Sequence, residues 1–80
     1  MIDKVLISKK WIDYIEKRNL SLQYRKAKKY LLEWNFTQIN FSIREPKVDK
    51  IYYFRINKQF RVFGFNENWV FKVIKIDNHQ

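Results

Sequence analysis

Residues 51–65 read IYYFRINKQFRVFGF, two apolar segments joined by the polar run Asn57-Lys58-Gln59. This composition predicts a β-hairpin, which decides the fold of the second half of the chain. A two-residue loop would place Arg61 opposite Phe54, a charged residue against an apolar one. A three-residue loop instead pairs Phe54 with Val62 on one apolar face and sets Arg55 directly opposite Arg61. The second register keeps the apolar residues together, and we expect it.

The expected pairing of Arg55 with Arg61 places two like charges side by side, which costs some tenths of a kcal/mol in a sheet. Two adjacent guanidinium groups suit the oxygens of a phosphate, so an anionic ligand would explain the arrangement. Alternatively, both side chains point into water on a solvated face. Tyr53 shares this predicted face, where it would either stack on a nucleic-acid base or serve as a structural aromatic.

Helices are predicted before the hairpin, because apolar residues recur at helical spacing over Ser8–Arg18 and again from Tyr24 to Trp34. Ser8 and Ser21 are the expected N-caps of these two helices. Further strands are predicted at Ile2–Ile7, Ile39–Ile43 and Trp69–Ile76, with loops at Arg44–Lys47 and Asn66–Asn68. The sequence therefore predicts an α+β fold in which two N-terminal helices pack on a four- or five-stranded, mainly antiparallel sheet.

The composition limits the class of protein. Eighty residues, 46% of them hydrophobic, suffice for one modest core, so residues 1–80 are expected to form a single domain. The chain has no cysteine, which fits a cytoplasmic location, and one histidine without cysteine argues against an ordinary zinc site. No apolar run approaches the roughly 18 residues that a membrane span needs. We expect neither a metal nor a cofactor.

The charge of the chain predicts an anionic partner. Seventeen Lys and Arg against eight Asp and Glu give a net charge of +9. Nucleic acid, an anionic membrane surface or an acidic protein would each fit, but a membrane-binding helix would carry the basic residues. Here much of the arginine lies in predicted strands, so a membrane surface is the least expected of the three partners. Lys58, Lys72 and Lys75 are candidate substrate-binding residues that would contact phosphates, unless they are simply solvated.

Four short motifs follow one another in the second half of the chain: Arg44-Glu45-Pro46, Tyr53-Phe54-Arg55-Ile56, Phe60-Arg61-Val62 and Ile76-Asp77-Asn78-His79. Their succession after two predicted helices resembles the RelE/ParE-type toxins of bacterial toxin–antitoxin systems. The resemblance implies a RelE-like fold and a cognate antitoxin as protein partner. RelE-like and YoeB-like members of this family cleave mRNA, mostly at the ribosome, whereas ParE-like members poison DNA gyrase.

Similarity to the YoeB-like branch implies catalytic roles for Glu45, Arg61 and His79. In such a metal-independent endoribonuclease, a ribose 2′-OH attacks its own 3′-phosphate. The carboxylate of Glu45 would take the hydroxyl proton, Arg61 would stabilise the phosphorane oxygens, and His79 would protonate the leaving 5′-oxygen. Without the resemblance, Glu45 would be a polar loop residue and His79 a terminal residue without a role.

The sequence thus leads us to expect an RNA-cleaving toxin that acts on ribosome-associated mRNA. Two alternatives from other classes stay open. One is a ParE-like inhibitor of DNA gyrase, for which Glu45 and His79 would be dispensable. The other is a noncatalytic, basic nucleic-acid-binding module, whose affinity would fall steeply with salt but which would cut no strand.

Overall fold

A computed structural model describes residues 2–78 of the protein, which form one mixed five-stranded sheet and two α-helices. The elements are β1 (Lys4–Leu6), α1 (Lys9–Lys17), α2 (Ser21–Leu32), a 3-10 helix (Phe36–Ile39), β2 (Ser42–Ile43), a second 3-10 helix (Lys47–Asp49), β3 (Tyr52–Arg55), β4 (Phe60–Glu67) and β5 (Val70–Asn78). The strand order is β1-β5-β4-β3-β2, in which β1 and β5 are parallel and the other pairs antiparallel. The predicted α+β class and mainly antiparallel sheet are confirmed.

Each α-helix is followed, two positions after its last residue, by a residue with left-handed backbone. After α1, Asn19 has a φ of 57°, a conformation that asparagine tolerates well. After α2, Trp34 has a φ of 61°, and the next amide, that of Asn35, donates to the carbonyl of Tyr30 at 2.8 Å. The prediction that Trp34 lies within the second helix was therefore wrong. Its side chain is 48% exposed, and its indole Nε1 donates to the carbonyl of Ile2 at 3.4 Å.

The helix N-termini differ from the predicted caps. Ser8 does precede α1 with extended backbone, but its side chain makes no capping hydrogen bond. Ser21 lies inside α2 rather than before it, and Leu20 occupies the preceding position, where its carbonyl accepts from the amide of Tyr24 at 2.8 Å. Neither helix, within residues 2–78, has the length and apolar content that crossing a bilayer requires.

The core lies between the two helices and one face of the sheet. Alternate residues of the long strands point into it, as expected of a sheet with one covered face. Phe54, Val62 and Phe71 are fully buried there. The same cluster contains Ile15 of α1, Leu20 between the helices, and Tyr24, Ala27 and Leu31 of α2.

Gly64 lies at a β-bulge, where β4 and β5 shift register. A Cβ built on Gly64 would contact the backbone carbonyl of Lys72 and lie 2.7 Å from the ring of Phe71. Such a contact is too short for real side chains, so only glycine lets the Phe71 ring pack against β4. The bulge also gives β5 one extra residue, Ile74, opposite the Phe63–Gly64 step.

The β3–β4 hairpin has the predicted register. Phe54 pairs with Val62, and Arg55 pairs with Arg61. The turn is fixed by Asn57, whose Oδ1 accepts hydrogen bonds from the amides of Gln59 and Phe60 at 2.8 and 2.9 Å. A side-chain acceptor at this position mimics a backbone turn and closes the three-residue loop.

The predicted strand Ile39–Ile43 is mostly not a strand. Ile39 ends a 3-10 helix, and Asn40 follows with a φ of 50°, so only Ser42–Ile43 pair with β3. The rings of Phe36 and Phe41 stack at 4.7 Å, and the Phe41 amide donates to the Phe36 carbonyl at 3.1 Å. These two contacts hold residues 36–41 in a compact turn, so the segment does not form the strand that the alternating pattern predicted.

The two strand boundaries near Trp69 were also wrong. β4 continues to Glu67, and a two-residue turn, Asn68–Trp69, leads to β5. Both turn residues have positive φ, 52° and 66°, as a type I′ turn requires. Trp69 is therefore a turn residue, and its side chain is 58% exposed. The first strand is shorter than the predicted Ile2–Ile7, since β1 spans Lys4–Leu6.

Candidate functional site

The sheet face opposite the core, called here the open face, collects most of the predicted site residues. They alternate along the strands with the buried residues, and the strand registers align them across the sheet. Its residues on β2 to β5 that concern the site are Ser42, Tyr53, Arg55, Arg61, Phe63, Phe65, Lys72, Lys75 and Asp77. Arg44, which follows β2, lies on the same side because its guanidinium carbon is 5.8 Å from the Phe63 ring centre.

An aromatic pair occupies the centre of the open face. Tyr53 and Phe63 are register partners on β3 and β4, and their ring centres are 5.4 Å apart. Phe63 is only 6% exposed, although it does not belong to the main core cluster. The Nζ of Lys75, 4.9 Å from the ring centre, and the guanidinium of Arg44 lie over Phe63. Phe63 is therefore buried outside the main core cluster, beneath cationic side chains.

Arg61 lies beside this pair, between a basic residue on one neighbouring strand and an acidic residue on the other. Its guanidinium carbon lies 5.0 Å from the Tyr53 ring centre, a distance at which the ring attracts the cation. Arg55 is its register partner on β3, and Asp77 is its partner on β5. Within residues 2–78 no carboxylate comes within salt-bridge distance of Arg61 or Arg55. Among the described residues, both guanidinium groups thus keep their donors available for a ligand.

The predicted lysines occupy three different environments. Lys75 belongs to the cluster around Phe63. Lys72 lies opposite Phe65 and forms a salt bridge with Glu67, so an acidic neighbour already compensates its charge. Lys58 is exposed in the hairpin turn, three residues from both Arg55 and Arg61. Lys58 and Lys75 therefore suit phosphate contacts better than Lys72.

The backbone separates Glu45 from the arginine pair by about the length of β3. The amide of Arg44 donates to the carbonyl of Ile51 at 2.7 Å, and Ile51 immediately precedes β3. Glu45 is the next residue after Arg44, so its backbone lies near the beginning of β3. Arg55, which pairs with Arg61, ends β3 four residues further on, a distance of about 13 Å along an extended chain. Glu45 is exposed in this loop. His79, the third predicted catalytic residue, lies outside the described residues.

A cleft beside the open face adds polar groups near Tyr53. It has a volume of about 460 Å³ and lies between β3 and the segment that follows the first 3-10 helix. Asn40, Ser42, Tyr53 and Arg55 supply its polar lining. Hydroxyl, amide and guanidinium groups around an aromatic ring can hold a nucleotide through its base, ribose and phosphate.

Sequence reasoning missed several residues of this face, among them Arg44, Phe63 and Asp77. The predicted hairpin register already pairs Tyr53 with Phe63, so the alternation could have identified Phe63. Asp77 follows from the same alternation in β5, where it flanks the buried Ile76. Arg44 carried no comparable signal, because its position depends on how β2 meets β3.

The chemistry available on this face is that of binding anions and planar groups. Residues 2–78 contain no group of three or more His, Asp or Glu side chains that could hold a metal ion. Comparison with known proteins identified no relative: no family model, no curated protein and no solved structure matches the chain. The fold and the open face define a small, basic α+β protein with an aromatic and cationic sheet surface.

Proposed function

We propose that this protein binds single-stranded RNA on the open face and cleaves it there, as an mRNA endoribonuclease toxin of RelE-like fold. The pairing of Arg55 with Arg61 beside Tyr53 is the observation that carries the proposal. Two guanidinium groups on neighbouring strands can grip one phosphodiester, while the tyrosine ring stacks on an adjacent base.

Single-stranded RNA fits this surface better than a duplex does. An open face with aromatic rings stacks on unpaired bases, which a double helix keeps enclosed. The surrounding cations, Arg44 and Lys75, lie over Phe63, so their charged groups are already placed beside the aromatic pair. The net charge of +9 attracts the backbone over a longer range.

Cleavage requires more than the arginine pair. In the proposed reaction Arg61 stabilises the phosphorane, Glu45 accepts the 2′-hydroxyl proton and His79 protonates the leaving oxygen. The resemblance to YoeB-like toxins supports these last two roles. The protein would then act in the cytoplasm on mRNA at the ribosome, and a cognate antitoxin would cover the basic open face until release.

A second candidate is a noncatalytic RNA-binding module. The observation that favours it is the separation of Glu45 from Arg61 by the length of β3, since a base must lie within hydrogen-bond reach of its proton. In this function the open face holds RNA without cutting it, and Glu45 is an ordinary loop residue.

The test is cleavage of a defined mRNA in a reconstituted translation system, with the new 5′ ends mapped by primer extension. The wild type is compared with Arg61→Ala, Glu45→Ala and His79→Ala, and a parallel reaction omits ribosomes. Lys29→Ala is the matched control, because Lys29 is an exposed cation on α2, away from the open face.

We expect discrete ends with the wild type and with Lys29→Ala. With Arg61→Ala the rate of cleavage should fall by about 100-fold or more. Loss of the ends without ribosomes would identify translating mRNA as the substrate. If the folded wild type binds RNA but produces no ends, the noncatalytic function stands instead. If it neither binds nor cuts RNA, both functions fail, and inhibition of DNA gyrase supercoiling becomes the assay of the ParE-like alternative.

A further inference from the structure

Arg55 lies at an edge of the sheet that is open in the described chain. β2 pairs only with Tyr52 and Tyr53, so the last two residues of β3 have no strand beside them on that side. Arg55 consequently lines two clefts. One is the cleft next to Tyr53 and Ser42, and the other lies between β3 and α2.

The second cleft, called here the α2 cleft, is built on one stripe of the helix. Gln23, Lys26 and Tyr30 recur at the spacing that places side chains on a common helical face. Gln38 of the 3-10 helix and Arg55 of β3 close it from the other side. Its volume of about 290 Å³ is near the lower limit of the roughly 300–1,000 Å³ typical of small-ligand sites. One nucleotide is a fitting occupant.

The floor of the α2 cleft is apolar and its rim is cationic. Ala27, Ile39 and Ile56, all buried, form the floor. Lys26 and Arg55 supply the positive charge, and none of the described residues that line the cleft is acidic. Within residues 2–78, the one salt bridge joins Lys72 to Glu67 and leaves both of these cations without a carboxylate partner. An anionic ligand with a flat apolar surface matches such a site.

The polar side chains of the cleft can distinguish bases. Gln23 and Gln38 are exposed amides, each able to donate and to accept hydrogen bonds. Tyr30 is half-buried and offers a ring for stacking. Unpaired bases in RNA are recognised by this combination of stacking and hydrogen bonds to the base edge.

We propose that the α2 cleft is a second RNA subsite, which holds the nucleotide next to the phosphodiester gripped by Arg55 and Arg61 and reads its base through Gln23 and Gln38. The inference rests on the proposed RNA-binding function and extends it. Single-stranded RNA would cross the open sheet edge at Arg55, so that one guanidinium serves both subsites. Lys26 would contact the phosphate on the far side of the bound nucleotide.

The experiment measures equilibrium binding of fluorescein-labelled heptamers of uridine, adenosine and cytidine at several salt concentrations. Lys26→Ala is compared with Lys29→Ala, its matched control. Both lysines are exposed on α2, but Lys29 lines a different cleft. We expect Lys26→Ala to weaken binding of all three heptamers roughly fivefold and to reduce the salt slope by about 0.7, as one lost phosphate contact should. Lys29→Ala should change affinity less than about twofold by the same reasoning.

Gln38→Ala tests base reading. The wild type should bind one heptamer with roughly tenfold higher affinity than the others. This variant should reduce that ratio of affinities to about twofold or less, while keeping most of the affinity for the other heptamers. Unchanged circular dichroism and melting temperature would establish that each variant is folded. Tyr30→Phe, which keeps the ring, should bind like the wild type, whereas Tyr30→Leu should bind more weakly.

The outcomes separate the subsite from the function on which it rests. If Arg61→Ala abolishes binding while Lys26→Ala and Lys29→Ala behave alike, the α2 cleft is not an RNA subsite and the proposed function stands. Equal affinity of the wild type for all three heptamers, or an unchanged preference in Gln38→Ala, overturns base reading by this cleft. If the folded wild type binds none of the heptamers, the proposed RNA-binding function fails, and the subsite fails with it.

Discussion

At the scale of single residues, Arg55 and Arg61 hold two like charges against each other on neighbouring strands, an arrangement that gives the unliganded fold nothing. Arg55→Gln should therefore leave the free energy of unfolding within about 0.5 kcal/mol of the wild type, or slightly raise it. It should weaken RNA binding roughly tenfold or more, because hydrogen bonds from a charged donor to a phosphate are lost. Urea unfolding and fluorescence anisotropy measure the two effects.

Arg25→Gln is the control for this prediction, since Arg25 is exposed on α2 and does not line the clefts next to Arg55. Its affinity should change less than that of Arg55→Gln. A loss of more than about 1 kcal/mol of stability in Arg55→Gln would mean that Arg55 has a structural role.

Tyr24 carries an uncompensated polar group in the core, because its buried hydroxyl has no hydrogen-bond partner among the described residues. Burial raises its pKa from 10.0 to about 12. Because the pKa is raised in the folded protein, the contribution of this group to the free energy of unfolding is fully present below pH 10. It is lost as the pH rises towards 12, by up to about 3 kcal/mol. Tyr24→Phe should lack this alkaline loss.

The same substitution should stabilise the protein at pH 7 by roughly 1 kcal/mol or more, since it removes a desolvated hydroxyl that nothing compensates. Urea unfolding of both proteins at pH 7 and between pH 9 and 11.5 gives the comparison. Parallel loss of stability in wild type and Tyr24→Phe would assign the alkaline effect to other groups.

At the scale of elements, the β4–β5 turn places a bulky residue in left-handed backbone, with Trp69 at a φ of 66°. Glycine adopts this conformation without a steric penalty, whereas alanine does not. Trp69→Gly should therefore be more stable than Trp69→Ala by about 1 kcal/mol, equivalent to roughly 4–8 °C in Tm. Differential scanning calorimetry decides the point, and equal Tm values would contradict the strain.

The β3–β4 hairpin could be predicted from the sequence because its information is local. An alternating apolar pattern and a turn residue such as Asn57, whose side chain accepts from the nearby amides of Gln59 and Phe60, fix the register without help from the rest of the chain. The open-face positions of Tyr53, Arg55 and Arg61 follow from that register. The same alternation, carried one pair further, would have given Phe63.

The segment before β3 could not be predicted in the same way. Phe36 and Phe41 stack on each other, and Phe41 also stacks on Tyr52 at 5.4 Å, contacts that depend on how the segment folds back onto β3. An apolar alternation over five residues is compatible with both a strand and this compact arrangement. The position of Glu45 depends on the same packing, which is why its distance from Arg61 was not evident from the motif.

At the scale of the whole molecule, the charge of +9 is unevenly compensated, because Lys72 has an acidic partner while four open-face cations have none within residues 2–78. These are Arg44, Arg55, Arg61 and Lys75. If each contacts one phosphate, the logarithm of the RNA association constant should fall with the logarithm of salt concentration at a slope of about −3. Anisotropy titrations from 50 to 300 mM KCl, values taken as roughly bracketing physiological salt, measure this slope.

Lys75→Gln should make that slope less steep by about 0.7, because one phosphate contact is lost. Lys72→Gln should change the slope less, because Glu67 already neutralises Lys72. A slope near zero for the wild type would contradict electrostatic binding by the open face. Equal changes in the two variants would contradict the distinction between the two lysines.

The parallel pairing of β1 with β5 has a consequence for biosynthesis. Lys4 pairs with Val70, so the contact joins residues at opposite ends of the described chain and closes a long loop. During translation β1 therefore has no strand to join until β5 has been made. Lys75 and Asp77 complete the open face from that same strand. A nascent chain thus completes this aromatic and cationic surface only after β5 has been made.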